Sequence, residues 1–256
     1  MLLFFRCLLA DVRKTKRTSF IWLHATIPFI CAGFFLLYFY HREHQPDQLY
    51  RAYIEAIAVA LPLLIGIVCG MAASLEEQAG KFQVLLGGTS PKLAAYLSKM
   101  TLLIVMNICA IYLAIGLYLL GLRFLFHVPN LPYSLFVEGG AWLAAGSVAL
   151  YFIYFFISCA FGMGASVLIG GAGLLMTALM YTGLGDAVWK YNPWAWGIRL
   201  AEYKGAEQFS QFDAFLLSLL HQEINRGALI MVFAIITLFI VSMIWFIRWE
   251  GKKAYE

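Results

Sequence analysis

The stretch GGAWLAAGSVALYFIYFFISCAFGMGASVLIGGAGLLMTALMYTGLG, residues 139–185, holds 47 consecutive residues without Asp, Glu, Lys or Arg. At ~1.5 Å of rise per residue, a single helix of that length would run about 70 Å, against a ~30 Å hydrocarbon core. Two membrane spans joined by a tight turn satisfy both numbers. SCAFGMGAS, residues 158–166, supplies the turn at Gly162 and Gly164. Working outward, four more charge-free stretches are each one helix long: residues 18–41, 56–75, 100–122 and 227–247. The expectation is six transmembrane helices, at 19–40, 54–74, 100–122, 140–161, 164–184 and 227–248. A β-barrel is excluded because no stretch alternates apolar and polar residues with period two.

Composition agrees. Of 256 residues 62% are hydrophobic and only 12% charged, with a mean hydropathy of +0.80. Soluble domains carry ~25% charged residues, so an ordinary soluble enzyme, a disordered chain and a nucleic-acid binder are all excluded. The net charge of +4 matters through its placement. With six spans, both termini share a side with the second and fourth connections. That side carries eleven Lys and Arg, among them Arg6, Arg13, Lys14, Lys16, Arg17, Lys81, Lys92 and Lys99, against seven on the other. The positive-inside rule makes both termini cytoplasmic. No cleavable signal is expected, because the apolar MLLFF precedes RKTKR rather than following it. The five cysteines read as packing residues.

Three segments outside the spans are informative, and all belong to one domain, 1–256. Residues 1–17 place Phe4, Phe5, Leu8, Leu9 and Val12 on one helical face and Arg6, Arg13 and Arg17 on the other, the pattern of a helix lying in the membrane interface. Residues 75–99 form a cytoplasmic loop. Within it Ala79, Phe82, Leu85 and Leu86 make one side of a short helix, with Glu76, Glu77, Lys81 and Gln83 turned away as a docking face. Gly87 and Gly88 stop that helix, and Ser90–Pro91 start the next. Residues 185–226 form a long external loop whose Phe209, Phe212, Leu216, Leu219 and Leu220 make one apolar stripe. Trp189, Trp194 and Trp196 are placed at headgroup depth, so the loop lies on the leaflet or caps the bundle.

Polar groups within the spans are few: His24, Asn107, Ser147, Ser158, Ser166 and Thr177, with Glu55 at one edge. Neither His24 nor Glu55 has an obvious partner, so a proton or ion pathway is not expected. Pro28 and Pro62 are candidate kinks. Gly66 and Gly70 form a GxxxG, and Gly170, Gly171 and Gly173 crowd the fifth span, suiting close packing within the chain or between subunits. There is no GxxxxGK[ST] phosphate loop, HExxH or CxxC. EEQAGK departs from the EExxxR of intramembrane prenyl-protein proteases at Lys81, its acids lie in a loop, and the only intramembrane histidine, His24, precedes it. His41 and His44 are spaced to share a metal, but an external polar pair is more often only solvated. No catalytic, cofactor or metal residue is assigned.

Together these parts resemble the permease subunits of type-2 ABC exporters: an interfacial elbow helix, six spans, a short amphipathic coupling segment and a long external segment before the last span. Two strings, LLADVRKTKRTSFIWLHATIPF (8–29) and EEQAGKFQVLLGGTSPKLAAYLSK (76–99), resemble the lantibiotic-immunity, or bacteriocin self-protection, permeases. The resemblance implies an all-α protein of the bacterial cytoplasmic membrane with no enzymatic activity of its own. ATP and magnesium would be bound by a separate ABC ATPase, present in two copies. Glu76, Glu77, Gln78, Gly80, Lys81, Phe82 and Gln83 would form the coupling helix seated on that ATPase, with Arg6, Arg13 and Arg17 on the membrane-interface elbow. A second related permease, or a second copy of this chain, would complete the unit. The cargo would be a cationic antimicrobial peptide, expelled from the bilayer to give self-immunity. Another hydrophobic drug or a lipid-linked molecule is the alternative cargo.

Overall fold

The computed structural model describes residues 2–15, 18–42, 45–80, 82 and 92–251. They form helices α1 (Leu2–Thr15), α2 (Ser19–Phe39), α3 (Pro46–Gln78), α4 (Lys92–Phe124), α5 (Tyr133–Phe161), α6 (Met163–Tyr181), α7 (Trp196–Phe209) and α8 (Ala214–Arg248), with single 3-10 turns at Gly183–Gly185 and Trp189–Tyr191. No strand occurs among the described residues. Six helices, α2 to α6 and α8, are long and apolar enough to cross a membrane.

The helix ends follow from local chemistry. The Thr18 hydroxyl accepts from Phe20 N and starts α2. Pro46, lacking the N–H that a first turn leaves idle, opens α3. Asp213 accepts from Leu216 N at 2.7 Å and opens α8. The 47-residue stretch breaks at Gly162 alone, which joins α5 to α6 at φ 91°, a left-handed conformation that glycine reaches without a Cβ clash.

Several helices outrun the bilayer. At 33 residues each, α3 and α4 are about 50 Å long, roughly 20 Å more than the hydrocarbon core. The expected spans 54–74, 100–122 and 227–248 therefore mark only the most apolar parts of 46–78, 92–124 and 214–248. Hydropathy changes where lipid ends, whereas the hydrogen-bonded ladder continues into water.

α3 is the hub, packed against α5, α6 and α7. Its seam with α6 is built from small residues. A Cβ on Gly66 would fall 2.7 Å from the Ser166 carbonyl oxygen, and one on Gly170 would fall 3.1 Å from that of Pro62. Ser166 Oγ donates to Gly66 O at 2.8 Å across it. The GxxxG is thus spent inside the chain, with Gly70 packed on Met163. α2 leans on α4 and touches α3 little. The outer faces of α2, α6 and α8 stay apolar and exposed, with Leu37, Leu168 and Phe233 among the most open side chains.

The overhangs build a cap at the end carrying α7, called here the α7 end; the opposite end carries α1. Tyr50 of α3 donates to Ala201 O at 2.8 Å, and Gly205 leaves room for its ring. The stripe expected over 209–220 is not one helix. α7 stops at Phe209, residues 210–213 break the chain, and Leu216, Leu219 and Leu220 belong to α8, which runs unbroken into the last span. The tryptophans are not a headgroup belt either. Trp189 and Trp196 are fully buried in the cap, Trp196 Nε1 donates to Lys190 O at 2.8 Å, and Trp194 Nε1 reaches the Tyr154 hydroxyl at 2.8 Å. For Trp194 and Trp196 an indole N–H satisfied by protein has no need of the water interface.

Candidate coupling site and intramembrane cleft

At the α1 end, three helices are joined by buried charge. Lys99 of α4 donates to Asp11 Oδ1 of α1 at 2.7 Å and to Glu76 Oε1 of α3 at 2.8 Å. Ser98 Oγ donates to Asp11 Oδ2 at 2.8 Å, and Lys14 Nζ reaches Glu76 at 3.2 Å from the solvent side. Asp11, Glu76 and Lys99 are all less than 7% exposed. Isolated, any of these charges would be costly to bury; together each ion has an opposite partner and short charge-assisted hydrogen bonds. A rigid joint results between the interfacial helix and the ends of two spans.

This adds a protein-facing strip to α1 and corrects one expectation for the coupling segment. On α1, Asp11 and Thr15 face the protein, whereas Phe5 and Leu9 are more than half exposed and Arg6 and Arg13 point outward. Phe5 and Leu9 are left open while Phe4, Leu8 and Val12 are half-buried, and the adjoining strip docks on α4. Arg17 lies outside the described residues. In the coupling segment, Glu76 does not turn away as a docking face: it is the buried end of α3. Phe82 is 1% exposed, at φ 65°; its N–H donates to Glu76 O at 3.1 Å and its ring meets Trp249 edge-on at 5.0 Å. Glu77 is half-buried, Gln78 and Ala79 are exposed, and Gly80 turns the chain at φ 132°. Lys81 and Gln83 lie outside the described residues, as do Leu85, Leu86 and residues 87–91.

Between α2, α3 and α4 lies an intramembrane cleft of about 230 Å³. Leu23, Ile27, Cys31, Leu61, Leu64 and Ile111 make it apolar, and His24, Asn107 and Tyr151 give it three polar points. His24 Nδ1 meets Phe20 O at 2.8 Å, and since a carbonyl only accepts, that nitrogen carries the proton. Asn107 Nδ2 donates to Ser147 Oγ at 2.8 Å, and the Ser147 hydroxyl in turn donates to Ala144 O at 2.7 Å. Pro28 lines the cleft and removes the N–H that would bond the His24 carbonyl. Such a space suits an apolar guest anchored by one or two hydrogen bonds.

At the α7 end Glu55, expected to lack a partner, accepts from the Tyr181 hydroxyl. Arg199 binds the terminal carbonyls of α6, Met180 O and Thr182 O, at 2.6 Å each, and pairs with Asp186 at 2.7 Å. Burial pushes the nearby Glu202 carboxyl up, against the pull of Arg199. Glu207 is held low, first by Lys204, which donates at 2.8 Å, and then by His221. No three His, Cys, Asp or Glu side chains converge as metal ligands among the described residues, and His44 lies outside them.

Asp11, Lys14, Ser98 and Lys99 are the members of the charge joint that sequence reasoning missed. Their one signal was an acid, Asp11, inside an otherwise apolar and basic helix. Residues 7–169, from α1 into α6 and including the charge joint and every residue that lines the cleft, match the family described as ABC-2 family transporter protein. No curated protein and no solved structure matches the chain. With six apolar helices and a family match over more than half its length, the chain belongs to the ABC-2 family of transporter proteins and is a multi-pass membrane transport subunit.

Proposed function

We propose that this chain is the permease subunit of an ATP-driven exporter that expels a lantibiotic-like cationic peptide from the membrane, giving self-immunity. Membership of the ABC-2 family implies an ABC ATPase partner and a dimeric membrane unit. ATP and magnesium are bound by that ATPase, in two copies, and the second permease is a related chain or another copy of this one. Both termini and the α1 end face the cytoplasm, in keeping with the basic residues gathered there; the α7 cap, residues 185–226, faces outward.

The observation that carries the reading is the Asp11–Lys99–Glu76 joint. It ties the interfacial helix to both spans flanking residues 79–91, so a push on that segment moves α1, α3 and α4 together. The cleft lies between α2, α3 and α4, so the same push reshapes it. The docking surface is revised accordingly. Gln78, Ala79 and Gly80 face the ATPase, while Glu76 and Phe82 brace the segment from behind. A cargo taken from the bilayer needs no aqueous path, which suits a cleft this apolar. A hydrophobic drug or lipid-linked cargo is the alternative.

The test is reconstitution with the ATPase and the second permease in a sensitive bacterium. Protection against a lantibiotic, with no change in tolerance of small hydrophobic dyes, supports peptide export. Dye extrusion without protection contradicts it and favours the alternative.

A further inference from the structure

Beside Glu55, where α2 ends and α3 begins, a second groove opens at the α7 end. It has a volume of about 570 Å³ and is lined by Tyr38, Arg42, Gln48, Arg51, Glu55 and Tyr181. Small-ligand sites span ~300–1,000 Å³, so the space is of ligand size. Because α2 stops at Phe39, the groove sits at the membrane boundary, within reach of lipid headgroups.

Its two arginines are under-used. Arg51 Nε is buried without a hydrogen-bond partner among the described residues, and its ion pair with Asp47 is long, at 3.9 Å between half-exposed side chains. An exposed i,i+4 pair of that length is worth little, whereas a buried unpaired N–H is costly. The exposed Arg42 guanidinium lies 4.2 Å over the Tyr38 ring, which holds the plane by cation–π attraction, and no hydrogen bond from it is shown among the described residues. Arg199, Lys190 and Lys204 at the same end are instead engaged by acids within 2.8 Å. Arg51 also acts electrostatically on Glu55, but among the described residues neither guanidinium is shown with a short ion pair, and two such groups around one groove suit a tetrahedral oxyanion bound bidentately. Glu55, one turn below Arg51 and held by Tyr181, opposes a dianion and accepts from a hydroxyl or ammonium.

We infer that this groove binds the phosphate of a phosphodiester lipid headgroup, Arg42 and Arg51 taking the phosphate oxygens and Glu55 the donor beyond it. The site is independent of the exported cargo.

The purified full chain in detergent is tested by native mass spectrometry with dioleoylphosphatidylglycerol, and with inorganic phosphate as competitor. The wild type retains the lipid, and Arg42→Gln with Arg51→Gln lowers retention about tenfold per arginine. Arg123→Gln with Arg226→Gln, outside the groove at the same end, leaves retention unchanged. If the double glutamine variant does not fold, Arg42→Lys with Arg51→Lys keeps the charge, removes the bidentate fork and still lowers retention. Equal retention by the groove variants and the wild type overturns the site. Equal loss from the Arg123/Arg226 pair overturns it in favour of diffuse attraction, and displacement by inorganic phosphate overturns the lipid source.

Discussion

Lys99 is the residue on which most depends. It is the cation common to Asp11 and Glu76, so Lys99→Met leaves the buried Asp11 carboxylate with no cation and Glu76 with Lys14 alone. Breaking a buried pair in this way costs ~3–5 kcal/mol. Thermal unfolding in detergent is expected to show that loss, and Asp11→Asn with Glu76→Gln added to Lys99→Met restores much of it. An unchanged melting temperature in Lys99→Met would show that the joint bears no weight. At the other end Tyr50→Phe removes one hydrogen bond to Ala201 O and is expected to cost about 1 kcal/mol, read in the same way. The sequence showed that Glu76 and Lys99 flank a loop. It did not show that they face inward, because a carboxylate and an ammonium 23 positions apart carry no periodicity that brings them together. Only the α3–α4 contact and the arrival of Asp11 do so.

Among elements, α3 was the most legible and α8 the least. The hydropathy of α3 marked a span, its Gly66 and Gly70 marked a close neighbour, and the structure supplies α6 as that neighbour. Small-residue spacing reports that some backbone approaches, without saying whose. Gly66→Leu is therefore expected to separate α3 from α6 and destabilise the single chain by at least ~1–3 kcal/mol. A variant that melts normally but loses association with a second permease would place the seam between subunits instead. For α8, charged residues over 214–226 interrupted the hydropathy window and hid a helix that Asp213 starts a full three turns early. The cleft gives the elements a functional test. Ala60 and Ala110 line it from α3 and α4, so Ala110→Phe is expected to fill it, reducing export at least tenfold with little change in melting or in ATPase binding. Export that survives the filling would move the cargo path elsewhere.

For the whole molecule, charge-free length fixed the number of spans and the turn at Gly162, because bilayer thickness leaves few alternatives. The candidate site was only partly legible. The helix over residues 2–15 was legible, but not which of its side chains face the protein; of the segment expected to be a short helix after α3, the described residues 79, 80 and 82 form a turn. The reason is physical: burial of Glu76 and Phe82 is decided by Lys99 and Trp249, residues distant in sequence. The molecule that emerges has a basic end with a rigid charge joint, an apolar cleft within the membrane, and a cap built from helix overhangs.

The central claim is that the segment following α3 seats an ABC ATPase. Cysteine cross-linking tests it most directly. The five native cysteines are replaced, a single cysteine is introduced at exposed Gln78, and the partner ATPase is co-expressed in the same membranes. The account predicts a cross-linked permease–ATPase band for Gln78→Cys, changing in yield with ATP, and none for Gln48→Cys at the α7 end. No band at Gln78, or equal bands at both positions, would contradict it.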